Sequence, residues 1–454
     1  MIEKFPYGRA PFWLLVLALL STALVVATRR AGEERRPDLV LAVFAPPQLE
    51  SYKKALPSFE QEHGVSVSVQ LVTQRALETR LQKAMLAGSD VPDLVEMIEG
   101  SLGFFTQGPL QDVGFVDLTE RVDREQLRQR MVESRFSLWS SRGRIFALPH
   151  DVHPVMLLYR ADLVEKLGID VSRLETWDDF VTAGQKVTRD EDGDGVVDRY
   201  MIDMPAAGNF ALNVLLLQRG VGTFDENGEV AFNTPLTVAT MAWYVRQYYG
   251  PRRIAYEAGW GQSLMKALSD GLVLFLFAPD WRTFLIEQEL PNLRGKFKLM
   301  PLPAWEKGGR RTSTWGGSGI AITRRCRQPE LAWQLVRHLY LNPADLGERF
   351  ADTHILPPLK DAWRLPEFQK RSAFYSGQRV GELYASLAPE TPPVWSTPYR
   401  RVAEGKLSEV FLRAADYYRA RGEDGLEPYI QAELDGAEAY VRKLMERNVL
   451  SRNR

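Results

Sequence analysis

Residues 39–44 read LVLAVF, an unbroken apolar run of strand length, and the way the chain continues from it narrows the fold to one class. A strand needs such a run when helices cover both faces of its sheet. The break Ala45-Pro46-Pro47-Gln48 comes next, then helical spacing over 49–63 that stops near Gly64, then the alternating VSVSVQL at 65–71. Residues 76–87 return to helix and 93–97 to strand. Strands and helices in alternation predict an open sheet clothed by helices. After Arg144 the same pattern starts again, with strands at 145–148 and 155–160 and a helix at 161–167. Thr176 is an N-cap for the next helix, and Asp178 and Asp179 suit its positive end. Further helical patterns cover 235–249, 330–340 and 404 onward. At 454 residues the chain exceeds the roughly 250–300 at which a single core stops growing, so the restart reads as a second lobe.

Charge and cysteine content remove several function classes. The formal net charge is −1 with acidic and basic residues well mixed, so there is no basic field to hold nucleic acid. Cys326 is the one cysteine, so no intramolecular disulfide forms, and no histidine stands near it in a nucleophile pattern. Residues 10–28 carry no charge and are mostly Leu, Val and Ala, after Lys4 and Arg9. This run is longer than the roughly 7–15 residues of a signal core and approaches the roughly 20 that span a bilayer. It reads as an export segment kept as a membrane anchor, with signal-peptide cleavage after Ala27 as the alternative.

Three constellations invite chemistry. Asp190, Asp192, Asp194, Gly195 and Asp198 fall at the first, third, fifth, sixth and ninth positions of a calcium loop, but Met201 stands where the bidentate carboxylate belongs. Two readings stand: a structural calcium remote from any ligand, or an acidic turn before a strand. His150 and His153, with Asp151 between them, have no third histidine or cysteine nearby. Metal ligation is therefore the weaker reading, beside hydrogen bonding to a ligand or a hinge contact. Gly316-Gly317-Ser318-Gly319 lacks the Lys-Ser/Thr of a phosphate loop and reads as a turn into a strand. With 58 acidic residues, carboxylate pairs alone do not argue for a glycosidase, and no Gly-x-Ser-x-Gly pattern is present.

Five landmarks follow in order: VPDLVEMIEG (91–100), GRIFALPHDVHPVMLLYRADL (143–163), TWDDF (176–180), ALSDGLVLFLFAPDW (267–281) and WGGSGIAI (315–322). In this order and spacing they resemble the extracellular solute-binding proteins of ABC importers, in particular the sugar-binding family. The resemblance covers residues 39–444. It implies a two-lobed periplasmic-binding-protein-like α/β fold, each lobe a mostly parallel sheet flanked by helices, with several interlobe crossings. The implied division is an N-terminal segment 1–37, a first lobe 38–152 plus 302–343, and a second lobe 155–300 plus 346–445. It also implies no catalysis, no required cofactor, a carbohydrate or related polar solute, and an ABC permease as partner; a membrane-anchored sensor feeding a signalling partner is the alternative. A sugar cleft pairs flat rings with planar polar groups. The resemblance accordingly points to Pro46, Glu99, His150, Asp151, His153, Asn209, Phe210, Asp280, Trp281, Trp315, Gly317, Ser318 and Trp395 as ligand-facing.

Overall fold

Hydrogen bonding sorts the strands into two five-stranded sheets and a small hairpin. The computed structural model describes residues 10–31, 36–87, 91–205 and 210–448. In chain order the strands are β1 (Leu39–Val43), β2 (Val67–Leu71), β3 (Leu94–Ile98), β4 (Ser140–Ser141), β5 (Arg144–Ile145) and β6 (Leu148–Pro149). They continue as β7 (Val155–Arg160), β8 (Tyr200–Asp203), β9 (Ala255–Tyr256), β10 (Val273–Pro279), β11 (Phe297–Pro301) and β12 (Ser318–Ile322). One sheet runs β2-β1-β3-β12-β6, the other β11-β7-β10-β8-β9, and β4 and β5 form a small hairpin.

The sheets are mixed rather than mostly parallel. In the first, β1 is parallel to β2 and β3, whereas β12 is antiparallel to β3 and β6. In the second, β10–β8 and β8–β9 are parallel, and β7 is antiparallel to β10 and β11. The reason lies in the connections. Parallel neighbours need a crossover helix within the same sheet. By contrast, β12 enters the first sheet directly from β11 of the second, and β7 enters the second directly from β6 of the first.

Both faces of the first sheet are buried. Leu39, Leu41, Val43, Leu94, Ile320 and Ile322 belong to one core, and Ala42, Val95, Met97 and Ala321 to another on the opposite face. The first of these cores continues without a break under the second sheet through Met156, Leu158, Leu276 and Ala278. The other face of that sheet packs Val155, Leu157, Phe275 and Phe277 against helices Pro235–Tyr249, Arg400–Arg421 and Leu426–Arg447. Helix Pro46–His63 ends on Gly64 in the left-handed region (φ 64°), where glycine carries no Cβ penalty. Helix Trp177–Val187 opens with a full capping box between Thr176 and Asp179.

Three chain crossings join the sheets and lie side by side. Residues 150–154 lead from β6 to β7, and 302–317 lead back from β11 to β12. Pro154 bridges Thr314 in antiparallel fashion, and Val155 N–H donates to Ser313 O at 3.1 Å. Val152 N–H donates to Leu356 O at 3.1 Å, which adds the third. Helix Pro343–Thr353, just before it, still packs on helix Pro46–His63: Arg349 Nε donates to Ser51 Oγ at 3.1 Å.

The N-terminal segment forms helix Ala10–Ala31. Trp13, Leu14, Leu15, Leu17, Leu19 and Leu20 on it are all exposed. Among the described residues, no helix is long and apolar enough to cross a membrane.

Candidate functional site

The crossings carry a buried charge cluster. His153 sits in the left-handed region (φ 54°), a conformation that a non-glycine residue adopts at some cost. Its Nδ1 lies 2.5 Å from Asp280 Oδ1 and its Nε2 3.2 Å from Asp151 Oδ2. Asp280 opens helix Asp280–Glu289 of the second lobe, so the ring ties both lobes together. Burial alone would lower the His153 pKa, but Asp151 and Asp280 outweigh it and raise it to about 10. Burial would likewise raise the Asp151 pKa, and His153 and His150 instead hold it well below the usual range.

Every other oxygen of this cluster is also engaged. Asp151 accepts from Ser318 N–H at 3.1 and 3.0 Å and from the Ser318 hydroxyl. Asp280 accepts from Trp281 N–H at 2.8 Å and Leu356 N–H at 2.7 Å. His150 Nδ1 lies 3.2 Å from both Asp151 Oδ2 and Ser318 Oγ. Arg135 donates to Thr314 Oγ1 and Gly316 O, both at 2.9 Å, and stands 3.7 Å from Asp151 Oδ1. A Cβ on Gly317 would stand 2.5 Å from Arg135 Nη2, so the close approach that this glycine permits is to Arg135.

Beside the cluster stands an aromatic wall. Trp315 meets Trp281 and Trp260 edge to face, with centroids 5.8 and 5.9 Å apart. Trp281 Nε1 donates to Trp315 O at 3.2 Å. The buried Arg282 guanidinium lies 4.8 Å from the Trp260 ring and 5.4 Å from that of Trp315.

Trp315 and Gly316 also wall a cavity of about 220 Å³ between the lobes. Glu99, just after β3, closes it from the first lobe. Asn213 and Leu217 of helix Phe210–Gln218, with Arg400 and Glu404 of helix Arg400–Arg421, close it from the second. Arg400 joins the walls: Nη2 donates to Glu99 Oε2 at 2.8 Å and Nε to Glu404 Oε1 at 2.7 Å. Its neighbour Arg401 repeats the interlobe link by pairing with Glu78. On the far side of the strap 391–400 lies a more polar groove of about 630 Å³, lined by Arg142, Asn227, Trp395 and Tyr399.

The expected site residues therefore fall into three places. Glu99 and Trp315 line the cavity, with Trp281 packed against Trp315 and Trp395 on the outer groove. His150, Asp151, His153, Asp280, Gly317 and Ser318 form the crossing cluster, where their polar groups serve one another save His150 Nε2, which is buried without a partner among the described residues. Pro46 is exposed at the start of its helix and does not line the cavity. Asn209 and the Phe210 side chain lie outside the described residues.

The profile of the bacterial extracellular solute-binding proteins matches residues 45–345, about two thirds of the chain. The chain belongs to that family. Solute binding outside the cytoplasm, not catalysis, is accordingly its role. A curated family relative, the arabinooligosaccharide-binding protein of Halalkalibacterium halodurans, is 26% identical over 79% of this chain and 80% of its own length. Another of the same description, from Bacillus subtilis, is 22% identical over 88% of this chain and 91% of its own. The sugar-binding protein MalE of Xanthomonas citri shares the two-lobed fold, with a TM-score of 0.72 at 17% identity over 90% of this chain and 99% of that one.

The acidic turn does not line the cavity between the lobes. The Asp190, Asp192 and Asp194 oxygens lie within 4.8 Å of one another. They are nevertheless turned to backbone: Asp190 accepts from Gly193 and Gly195 N–H, Asp192 from Asp194 N–H, Asp194 from Val196 N–H, and Asp198 from Glu191 N–H. Met201, at the twelfth position, is buried in β8. These bonds account for the turn without an ion.

Arg400, Glu404 and Asn213 escaped the sequence reading. One signal for Arg400 was available. Arg400 and Arg401 occupy the first turn of their helix, at the positive end of its dipole, where cations are disfavoured. A locally unfavourable placement of that kind marks a residue held by tertiary partners.

Proposed function

We propose that the protein captures a carbohydrate in the cavity between its lobes and presents it to an ABC permease. The observation that carries this reading is the cavity itself, which pairs the Trp315 ring with Asn213, Glu99 and Arg400 from opposite lobes. Flat ring plus planar polar groups suits a sugar's C–H faces and hydroxyls. The arabinooligosaccharide-binding proteins among its relatives point the same way. Ligand would select the closed form, because only there do both walls reach it.

We take the lobes as those implied by the sequence, with the third crossing moved from 343–346 to 354–357, after helix Pro343–Thr353. The exposed apolar residues of helix Ala10–Ala31 support its use as a tether, which would raise the receptor's effective concentration at the permease. Fractionation tests the tether: the full chain should pellet with membranes, and a chain starting at residue 36 should not. A thermal-shift screen against sugars, polyols and amino acids tests the ligand. A ligand at a hundred times its Kd adds about 2.7 kcal/mol of stability. Response to an amino acid and to no sugar would overturn the carbohydrate reading.

A further inference from the structure

Asp203 is a buried carboxylate that lies outside both the crossing cluster and the cavity wall. It ends β8, in register with Tyr256 of β9 and Leu276 of β10. Oδ1 accepts from Ala258 N–H at 2.9 Å, whereas Oδ2 is buried without a hydrogen-bond partner among the described residues. Buried polar groups are normally paired, and each exception calls for a reason. Burial raises the Asp203 pKa to about 6, with Arg282 and the Ala258 N–H pulling the other way. The ionised form is therefore a standing cost to the fold, and costs of this kind gather at functional sites.

Both ties of Asp203 lead to the aromatic wall. Ala258 opens the turn that carries Trp260, and Gly259 (φ 77°) and Gly261 (φ 62°) flank that tryptophan in the left-handed region. Trp260 itself is 48% exposed, so its own packing fixes it weakly, and the Ala258 bond fastens its turn to the sheet. Arg282 is the second tie. Its guanidinium lies over the rings of Trp260 and Trp315, 4.8 and 5.4 Å from their centroids. Among the described residues it makes one hydrogen bond, Nη1 to Phe277 O at 2.9 Å. Burial lowers the Arg282 pKa only to about 10, so it stays a cation, and Asp203 supplies the opposing charge. A protonated Asp203 would leave that cation buried with no counter-charge, a cost relieved when the guanidinium swings out toward water past Trp260.

Building on the carbohydrate reading, we infer that Asp203 is a positioning residue for the aromatic wall, acting through Ala258 and Arg282, and that its protonation loosens the wall and releases ligand in acid. Three charged or titratable groups face Asp203: Arg282 on its helix, Glu257 just after β9, and Tyr244 on helix Pro235–Tyr249. Burial holds the Tyr244 hydroxyl neutral, well above its ordinary range, and Arg282 stays charged. Glu257 is the other carboxylate in reach, so Glu257→Gln supplies the internal control.

The full chain labelled with 5-fluorotryptophan tests the positioning without any ligand. The Trp260 fluorine resonance, assigned by its loss in Trp260→Phe, should move between pH 7.5 and 4.5 with a midpoint near 6. Asp203→Asn should abolish that movement and Glu257→Gln should keep it. A resonance that stays put in the parent, titrates alike in Asp203→Asn or stops titrating in Glu257→Gln would overturn the assignment. Asp203→Asn keeps the side-chain shape and removes the buried charge, so its unfolding midpoint should match or exceed the parent's. A fall in that midpoint would make the carboxylate merely structural. Release is read by calorimetric titration with neutral arabino-, galacto- and malto-oligosaccharides at pH 7.5 and 5. About one molecule in ten keeps Asp203 ionised at pH 5, so affinity should fall about tenfold there if only the ionised form binds. Asp203→Asn should bind weakly and alike at both pH values. If no sugar binds at either pH, the carbohydrate reading falls and acid release with it, while the fluorine titration still decides the positioning. Equal parental affinity at both pH values would overturn the release.

Discussion

The crossing at His153 and the cavity at Arg400 are built alike, each a buried cation between two carboxylates that come from different parts of the chain. They differ in what is left over. Both nitrogens of His153 are taken, by Asp151 and Asp280, and the remaining carboxylate oxygens accept backbone or serine donors. Arg400 lines the cavity, but its Nη1 is sealed from it and has no protein acceptor. A buried cation whose donors the protein all meets is a pin; Arg400 falls one donor short of that. Burial and charge do not separate the two, since both are nearly inaccessible. Counting donors and acceptors does.

The sharpest way to break that comparison is at the pin. Asp280→Ala removes one carboxylate and leaves the His153 charge half-compensated inside the protein. Breaking a buried pair in this way costs about 3–5 kcal/mol. Denaturant unfolding should show a loss of that size, and a loss below about 1 kcal/mol would mean the cluster does not hold the lobes together.

A pH series examines the same pin by a different route. The folded His153 pKa, about 10, is raised above the ordinary histidine value of 6.5. Its contribution is therefore complete below pH 6.5 and is lost as pH rises toward 10. From pH 6.5 to about 9 the stability should fall by on the order of 3 kcal/mol, at 1.36 kcal/mol per unit. His153→Gln should flatten this limb relative to the parent. An unchanged slope in the variant would place the titrating group elsewhere. The groups that face the ring and govern its titration are Asp151 and Asp280, with His150 hydrogen-bonded to the Asp151 carboxylate and Arg135 ion-paired with it at 3.7 Å.

At the cavity, Trp281→Ala sharpens the contrast because Trp281 is half-buried and braces Trp315 from outside the cavity. Sugar affinity should drop by about 2 kcal/mol, roughly 30-fold, with the unfolding midpoint little changed. Loss of stability with intact affinity would move the tryptophan wall into the structural class beside His153. The smallest effect is expected from the acidic turn. Adding calcium or a chelator should leave the melting temperature unmoved, because Asp190, Asp192, Asp194 and Asp198 already accept backbone amides. A clear upward shift with calcium would restore the ion-binding reading of that loop.

Much of the fold was legible because burial leaves a local trace. The run at 39–44 contains β1, VMLLYR is β7, and the Thr176 cap opens a helix at Trp177. The sheets' mixed direction was not legible, since it depends on which lobe each strand arrives from. At the site, Glu99, Trp281 and Trp315 were singled out and stand on or against the cavity wall. His150, Asp151, His153, Asp280 and Ser318 were singled out too, and they do converge, but on each other. No residue pattern separates a polar group that faces solvent from one that faces another polar group across a domain crossing. Arg400 left only an indirect sign, two cations at a positive helix end.

By itself, then, the sequence determined the strand and helix grammar, the presence of two lobes and the residues rich enough in hydrogen-bonding capacity to matter. Periodicity and capping act over a few residues, so they are written locally. Only the tertiary structure decided which of those residues meet all their donors within the protein and which are left one short. Asp280 lies 127 residues from His153, and Glu99 lies 301 from Arg400. Whether a buried charge is fully met is a property of partners brought together by folding, and each partner's own neighbourhood in the chain carries no record of the other.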